Sequence, residues 1–344
     1  MLGLLVIALT CLLILTLVKN ALLGQQLSKN DTFHGQVTLI LPIEPKDQFE
    51  MNPWIDALQN LIPYSGQIQI LVLIDGHHYS TALWEKLADE FSFLKVKAFA
   101  KIKDAVPLVT SDVVIIGDPD LIPTPHAFLS AAHHTSTRKR SYVTVPQTSK
   151  DSLLGEAFFS LNPVLAFTSL YGFTKFKRPF TRPLLSLSKC WMTFPREIFQ
   201  RLTFDQQNCL DWKESACVQL EEEKLKYYLA FGEKQLVRFY PTELKDQFYK
   251  MKGFWEQMWT TRSRKGFWIF TGILFLWSYP LMIFTNFFSA IFSLGLLIVY
   301  RFFSKIVFQE SIRAIALHPI ACLGWIGTFF WYFYDLLIKK KEHP

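Results

Sequence analysis

An α/β domain carried on membrane segments is the architecture the sequence predicts, and three observations predict it. Half of the 344 residues are apolar and 16% aromatic, while only 19% are charged, below the roughly 25% usual for soluble domains. Uncharged runs of near-spanning length stand at both ends of the chain. Between them, short Val/Ile/Leu runs alternate with helix-patterned stretches, the signature of a parallel sheet buried on both faces. The 15 Gly, 17 Pro and 5 Cys exclude collagen, disorder and disulfide scaffolds. The net charge of +7 does not require nucleic acid, because membrane proteins gather Lys and Arg at anionic lipid surfaces.

Met1 to Val18 carries no charge, and Lys19 follows. With no basic residues before the apolar stretch it reads as an uncleaved anchor (residues 1–23) rather than a signal peptide. Lys19 and Lys29 beyond it place the following domain in the cytoplasm. That domain spans residues 32–250. Strands are expected at Val37–Ile43, Ile68–Ile74, Leu94–Ala100 and Asp112–Ile116, with helices at Asn52–Leu61 and Thr81–Phe91. Residues 251–266 form an interfacial element, and residues 267–338 the C-terminal membrane segments. Phe267–Tyr300 is 34 residues without a charge, roughly 50 Å as a single helix against a core of about 30 Å. Pro280 and Asn286 near its middle therefore suggest a hairpin of spans at 267–284 and 286–303. Lys305–Arg313 reads as amphipathic and interfacial. A third run, 315–336, either spans against the positive-inside tendency, given Lys339–Lys341 beyond it, or is re-entrant.

In such sheets ligands collect beyond the carboxyl ends of the strands, so the residues leaving each strand carry the chemistry. Asp118-Pro119-Asp120 leaves the fourth strand. Two carboxylates one residue apart cannot both be buried unpaired without a heavy desolvation cost. A divalent cation, Mg or Mn, bridging Asp118 and Asp120 to substrate phosphates removes that cost. A solvated Asp-Pro-Asp turn is the alternative. The metal reading requires both carboxylates to stand beside a cleft, not tied up with lysines or arginines of the scaffold.

With those residues in place, the chain resembles the membrane-bound family 2 glycosyltransferases, in particular the branch holding ceramide glucosyltransferase and the hopanoid-pathway glycosyltransferase. VTLILPIEP is similar to the family's opening strand, LVLIDGHHYS to its second, and SDVVIIGDPDLIPTPHAFLSAA to its DxD strand and following helix. EEEKLKYYLAFGEKQLVRFYP resembles the catalytic-acid segment, and FWEQMWTTRSRK the Gln-x-x-Arg-Trp element before the C-terminal spans. The resemblance covers nearly the whole chain. It implies a GT-A (nucleotide-diphospho-sugar transferase) domain with one N-terminal and about three C-terminal membrane segments. It also implies inverting transfer from a nucleotide sugar, a UDP-hexose, to a membrane lipid hydroxyl at the cytoplasmic face. In that reading Asp75 and Asp118 meet the donor nucleotide, and Asp118 and Asp120 hold the metal. Glu222, beside Glu221, is the catalytic base, while Gln257, Trp259 and Arg262 line the acceptor side. The sequence departs from the family pattern at three points. Ile74 precedes a single Asp75 where two acids are usual, Glu221-Glu222 stands for Glu-Asp, and Gln257-Met258-Trp259 lacks one residue and the arginine, which Arg262 would supply.

Other readings stay open. Asp211 and Glu214 are rival bases, and Glu221–Glu223 also reads as a solvated helix face. Gln257 and Trp259 also read as an interfacial anchor. The acid-free, basic and aromatic stretch from Ala157 to Arg196 suits anionic headgroups better than nucleic acid. A polymer-forming synthase is disfavoured by the few C-terminal segments, and a non-catalytic scaffold is the alternative from another class. His77-His78 and His133-His134 lack the i, i+4 spacing of a zinc pair. Five scattered cysteines fit a reducing compartment.

Overall fold

The structure is a computed structural model. It describes residues 33–45, 47, 49, 51–145, 148–149, 190–204, 212–225, 227–231, 237–238, 244–260, 287–308 and 316–342. Isolated positions at 7–8, 11–12, 14–15, 25–26, 268, 271–272, 274 and 312 are also described.

Its centre is an eight-stranded mixed sheet. In chain order the strands are β1 (Gln25–Gln26), β2 (Val37–Ile43), β3 (Ile68–Ile74), β4 (Leu94–Ala98), β5 (Val113–Gly117), β7 (Ser141–Val145), β9 (Trp191–Pro195) and β10 (Tyr227–Phe231). Three short strands, β6 (Leu121–Ile122), β8 (Thr148–Ser149) and β11 (Val237–Arg238), form a second sheet. The main sheet runs β1-β10-β7-β9-β5-β2-β3-β4. β2, β3, β4 and β5 pair in parallel, whereas β9 is antiparallel to both β5 and β7. The four strands expected from the sequence pair in parallel, and β9, which was not expected, makes the sheet mixed. An apolar run such as Trp191–Pro195 shows that a strand is buried, but its direction is decided by long-range pairing.

Alternate residues of each parallel strand feed two cores. Leu39, Leu41, Ile70, Val72 and Ile115 pack with Trp54, Trp84 and Phe128 of the helices α1 (Asn52–Leu61), α2 (Thr81–Glu90) and α4 (Pro125–Arg138). A one-turn helix, α3 (Ile102–Ala105), lies between the last two. Ile40, Leu71, Val114 and Ile116 point into the other core, with α3, the short α5 (Arg196–Phe199) and α6 (Trp212–Glu222). That core continues to α7 (Leu244–Thr260), α8 (Phe287–Phe308) and α9 (His318–Glu342). The local chemistry agrees with the elements. Pro53 opens α1, Thr124 caps α4 by accepting from Ala127 N, and Pro125 sits at its first position.

Among the described residues one helix stretch, Pro319–Ile338, is long and apolar enough to cross a membrane, and Ala290–Phe302 is a shorter apolar one. α8 continues to Phe308, through the start of the segment expected to lie along the interface. The expected spans at 1–23 and 267–284 lie largely outside the described residues, as does most of the basic stretch from Ala157 to Arg196.

Candidate functional site

The sheet order puts the site at β5. The chain runs outward from β2 through β3 to β4, then returns to the other side of β2 as β5. The strand order thus reverses between β2 and β5, the topological switch point beyond whose carboxyl ends open α/β sheets bind ligands. Asp118-Pro119-Asp120 leaves β5 at that place. Gly117 lets the loop begin there. A Cβ at this position would lie 2.7 Å from Cδ1 and Nε1 of Trp191, its partner on β9. Trp54 of α1 donates its indole N–H to the Pro119 carbonyl at 2.6 Å, and Leu121 N donates to Asp118 O at 3.0 Å. Both aspartates are 6% exposed as whole residues.

Asp118 is held on both oxygens. Its Oδ2 accepts from Cys190 N at 2.9 Å, and its Oδ1 lies 2.9 Å from Lys213 Nζ. Lys213 is itself 3% exposed, so this is an internal ion pair. Asp118 is thus paired with a scaffold lysine, against the condition that the metal reading set for both carboxylates. Asp120 has further interactions of its own. Lys213 was missed from the sequence. Its signal is a lysine in the first turn of a helix, where the macrodipole favours acids.

Through Lys213 the N-terminal end of α6 meets the Asp-Pro-Asp loop. Half-buried Glu214 is the next residue. Glu222 is exposed at the opposite end of α6, eight residues on, about 12 Å along the axis at 1.5 Å per residue. Glu221 accepts from Tyr227 OH at 3.3 Å, and Glu223 pairs with Arg201. Asp211 lies outside the described residues.

Asp75 leaves β3, separated from β5 by β2, so it shares the carboxyl edge with Asp118 roughly 10 Å across the sheet. It lies 3.6 Å from Lys101 Nζ, both side chains about half exposed. Gly76, at φ +87°, makes the turn that follows. His78 braces this edge, with Nδ1 2.7 Å from Ser80 Oγ and Nε2 2.9 Å from the Asp47 carbonyl.

Of the residues expected on the acceptor side, Trp259 is the one whose side chain is described. Trp259 is half-buried on α7, edge-on to Trp268 and to Phe333 of α9. The Lys252–Asp335 ion pair and a 3.2 Å hydrogen bond from Trp255 Nε1 to Thr328 Oγ1 also join α7 to α9. The Gln257 side chain and Arg262 lie outside the described part.

No group of three or more His, Cys, Asp or Glu is placed to hold a metal among the described residues. Mg²⁺ and its analogues do not need such a group. They take one or two carboxylates, with water and substrate phosphates completing the shell. Asp120 and Asp118 are hard oxygen donors of that kind at the sheet edge, and a cation there would share Asp118 with Lys213.

No family model matches the chain, and no curated protein matches it. Among solved structures, it is similar to the mannosyltransferase PcManGT of Pyrobaculum calidifontis in complex with GDP-Man and Mn²⁺. Identity there is 13%, coverage is 96% of this chain and 99% of that one, and the TM-score is 0.43. It is also similar to S. aureus TarS 1–349 in complex with UDP, at 10% identity, 87% and 92% coverage and a TM-score of 0.39. A mycobacterial protein follows at 14% identity, 65% and 74% coverage and 0.38. These likenesses are too loose to carry a functional argument, which stands on the geometry of the site.

Proposed function

We propose that this chain is an inverting glycosyltransferase that moves a sugar from a nucleotide sugar to the hydroxyl of a membrane lipid. The donor class is a UDP-hexose, the acceptor ceramide-like or hopanoid, and the site faces the cytoplasm. The observation that carries the proposal is the Asp-Pro-Asp loop at the carboxyl end of β5, braced by Trp54, Cys190 and Lys213 at the switch point of the sheet.

Asp120, beside Asp118, would hold a divalent cation, Mg or Mn, which supplies a Lewis acid for charge growing on the leaving diphosphate. Asp75 meets the nucleobase at the same edge. A carboxylate takes the proton of the acceptor hydroxyl as its oxygen bonds to the anomeric carbon, and the bond from that carbon to the diphosphate oxygen breaks. What supports Glu214 as this base, over Glu222 or Glu221, is its place beside Lys213 at the loop end of α6. A general base must come within about 3 Å of the proton, or reach it through one water. What supports a bilayer acceptor is the apolar stretch Pro319–Ile338, to which Lys252 and Trp255 tie α7. Gln257, Trp259 and Arg262 would line that side.

The test is sugar transfer from labelled UDP- and GDP-sugars into lipid extracts by the full chain and its Asp120→Ala variant. Transfer by the wild type that is lost in the variant supports the enzyme. The Asp118–Lys213 pair also favours a second reading, a non-catalytic nucleotide- or lipid-binding scaffold, because it neutralises one carboxylate of the motif. No transfer with any donor, but retained nucleotide binding, would establish the scaffold.

A further inference from the structure

α7 meets α9 along the second half of the longer helix. Trp255 Nε1 donates to Thr328 Oγ1 at 3.2 Å, and the same indole stands edge-on to Trp325 and Phe329 at 5.9 and 5.1 Å. Lys252 pairs with Asp335, and Trp259 is edge-on to Phe333 at 5.7 Å. The contacts run from residue 325 to residue 335, so α7 lies against α9 around residue 330. α7 itself cannot enter hydrocarbon, because Lys245, Asp246, Lys250, Lys252 and Glu256 fall within its 17 residues. Its Met251 and Trp255 belong to the same core as Ile40 and Val114 of the sheet. α7 therefore marks the membrane surface on the side of the α/β domain.

From these contacts we infer that α9 lies in the surface plane of one lipid leaflet instead of crossing the bilayer, its exposed apolar stripe turned to the lipid. From residue 330 the apolar stretch Pro319–Ile338 extends 11 residues one way and eight the other, about 17 and 12 Å at 1.5 Å per residue. Neither arm crosses a hydrocarbon core of about 30 Å. Upright, the helix would therefore leave one of its ends inside the hydrocarbon. Glu310 and Arg313 precede one end and Lys339–Lys341 follow the other, so either orientation strands charges in lipid. Lying flat strands none. The side chains agree with that seating. Ile320, Leu323, Phe330, Tyr334 and Leu337 are exposed, and their spacing of three, seven, four and three residues puts them on one helix face. Trp325, Thr328 and Asp335 occupy the opposite face, against α7. A flat helix sinks such a stripe about 5–10 Å into the boundary between headgroups and acyl chains. The helix end at Lys339–Lys341 then stays at headgroup level, where anionic lipid attracts lysines. This seating rests on the bilayer part of the proposed function and fixes how the last apolar run meets the membrane.

The experiment is nitroxide depth measurement by power saturation on the full chain in vesicles of phosphatidylcholine and phosphatidylglycerol. Spin labels are placed at Leu323→Cys and, in a separate protein, at Leu337→Cys. The wild type carried through the same labelling gives the background from its own cysteines. Both leucines are exposed, so a label at either leaves the packing against α7 in place. They stand 14 residues apart, about 21 Å along the helix. The expected result is two labels in lipid, each within about 10 Å of the headgroups, with depths that differ by less than about 10 Å, half of what an upright helix requires. A larger difference, or labels deeper than that, overturns the in-plane seating and leaves a bilayer acceptor standing. Two labels in water overturn both, since the stripe would then meet protein instead of lipid. Should either variant fail to fold, Ile320→Cys and Tyr334→Cys, on the same stripe and also 14 residues apart, decide it by the same readings.

Discussion

Asp118→Asn tests the internal ion pair without removing the hydrogen bond beside it. The asparagine carbonyl oxygen can still accept from Cys190 N, so what is lost is the charge facing Lys213 Nζ. The side chains are 9% and 4% exposed, leaving water little access to the stranded ammonium. Breaking one partner of such a pair costs about 3–5 kcal/mol. For a domain of 150–250 residues each kcal/mol moves the melting temperature by about 2–4 °C, so a drop of roughly 6–20 °C is expected. The assay is thermal unfolding of the full chain in detergent, for Asp118→Asn, Lys213→Met and the double variant Asp118→Leu/Lys213→Met. The double variant exchanges the pair for apolar groups and is expected to recover most of the loss, because a buried pair replaced as a unit is close to neutral. An Asp118→Asn protein melting within about 2 °C of the wild type would refute the reasoning, since this is smaller than any shift the pair allows.

Three further outcomes follow from the same geometry. Glu214→Gln is expected to lower lipid-directed sugar transfer by about 10²–10⁴-fold, the scale of general-base catalysis. Glu222→Gln, at the exposed far end of α6, should change it less than about twofold, and equal losses in the two would remove Glu214 from its role. Gly117→Ala drives a methyl to 2.7 Å from the Trp191 ring and should cost about 1–3 kcal/mol in denaturant unfolding; an unchanged midpoint would mean the strands part without penalty. His134 of α4 is held below the usual histidine range, first by burial and then by the charges of Arg138 and His133. Its folded pKa being depressed, its stabilising share is present above about pH 6.5 and is lost as pH falls through the folded value. Stability should therefore decline below about pH 6.5, and His134→Asn should make that decline shallower. An identical slope in the variant would assign the decline to other groups.

The parallel half of the sheet was legible because its strands are continuous Val/Ile/Leu runs of strand length closed by turn residues. Val37–Ile43 and Ile68–Ile74 match the expected bounds, and Val113–Gly117 differs from expectation by a single residue at each end. The third strand stops at Ala98 instead of Ala100, where Phe99 takes a positive φ of 55°. β7, β9 and β10 were not legible as sheet partners, because their places are set by pairing with strands far away in sequence. The Asp-Pro-Asp loop could be found from its position after a buried strand. Its bracing by Trp54, Cys190 and Lys213 could not, since those residues lie from 65 to 95 positions distant from Asp118 or Pro119 and meet them only in the fold. Glu222 was implied by the resemblance of EEEKLKYYLAFGEKQLVRFYP to the catalytic-acid segment. Helix geometry instead brings Lys213, and Glu214 next to it, to the loop end of α6. A lysine flanked by Trp212 and Glu214 reads as an ordinary exposed helix residue until its charge is set against the helix dipole.

The most direct test of the account is an anomalous difference map from a structure solved with Mn²⁺ and UDP or GDP. The expected result is a manganese peak within about 2.0–2.5 Å of an Asp120 carboxylate oxygen and of diphosphate oxygens, beyond the carboxyl end of β5. Manganese and nucleotide bound anywhere else on the protein, with Asp120 out of reach of both, would contradict it.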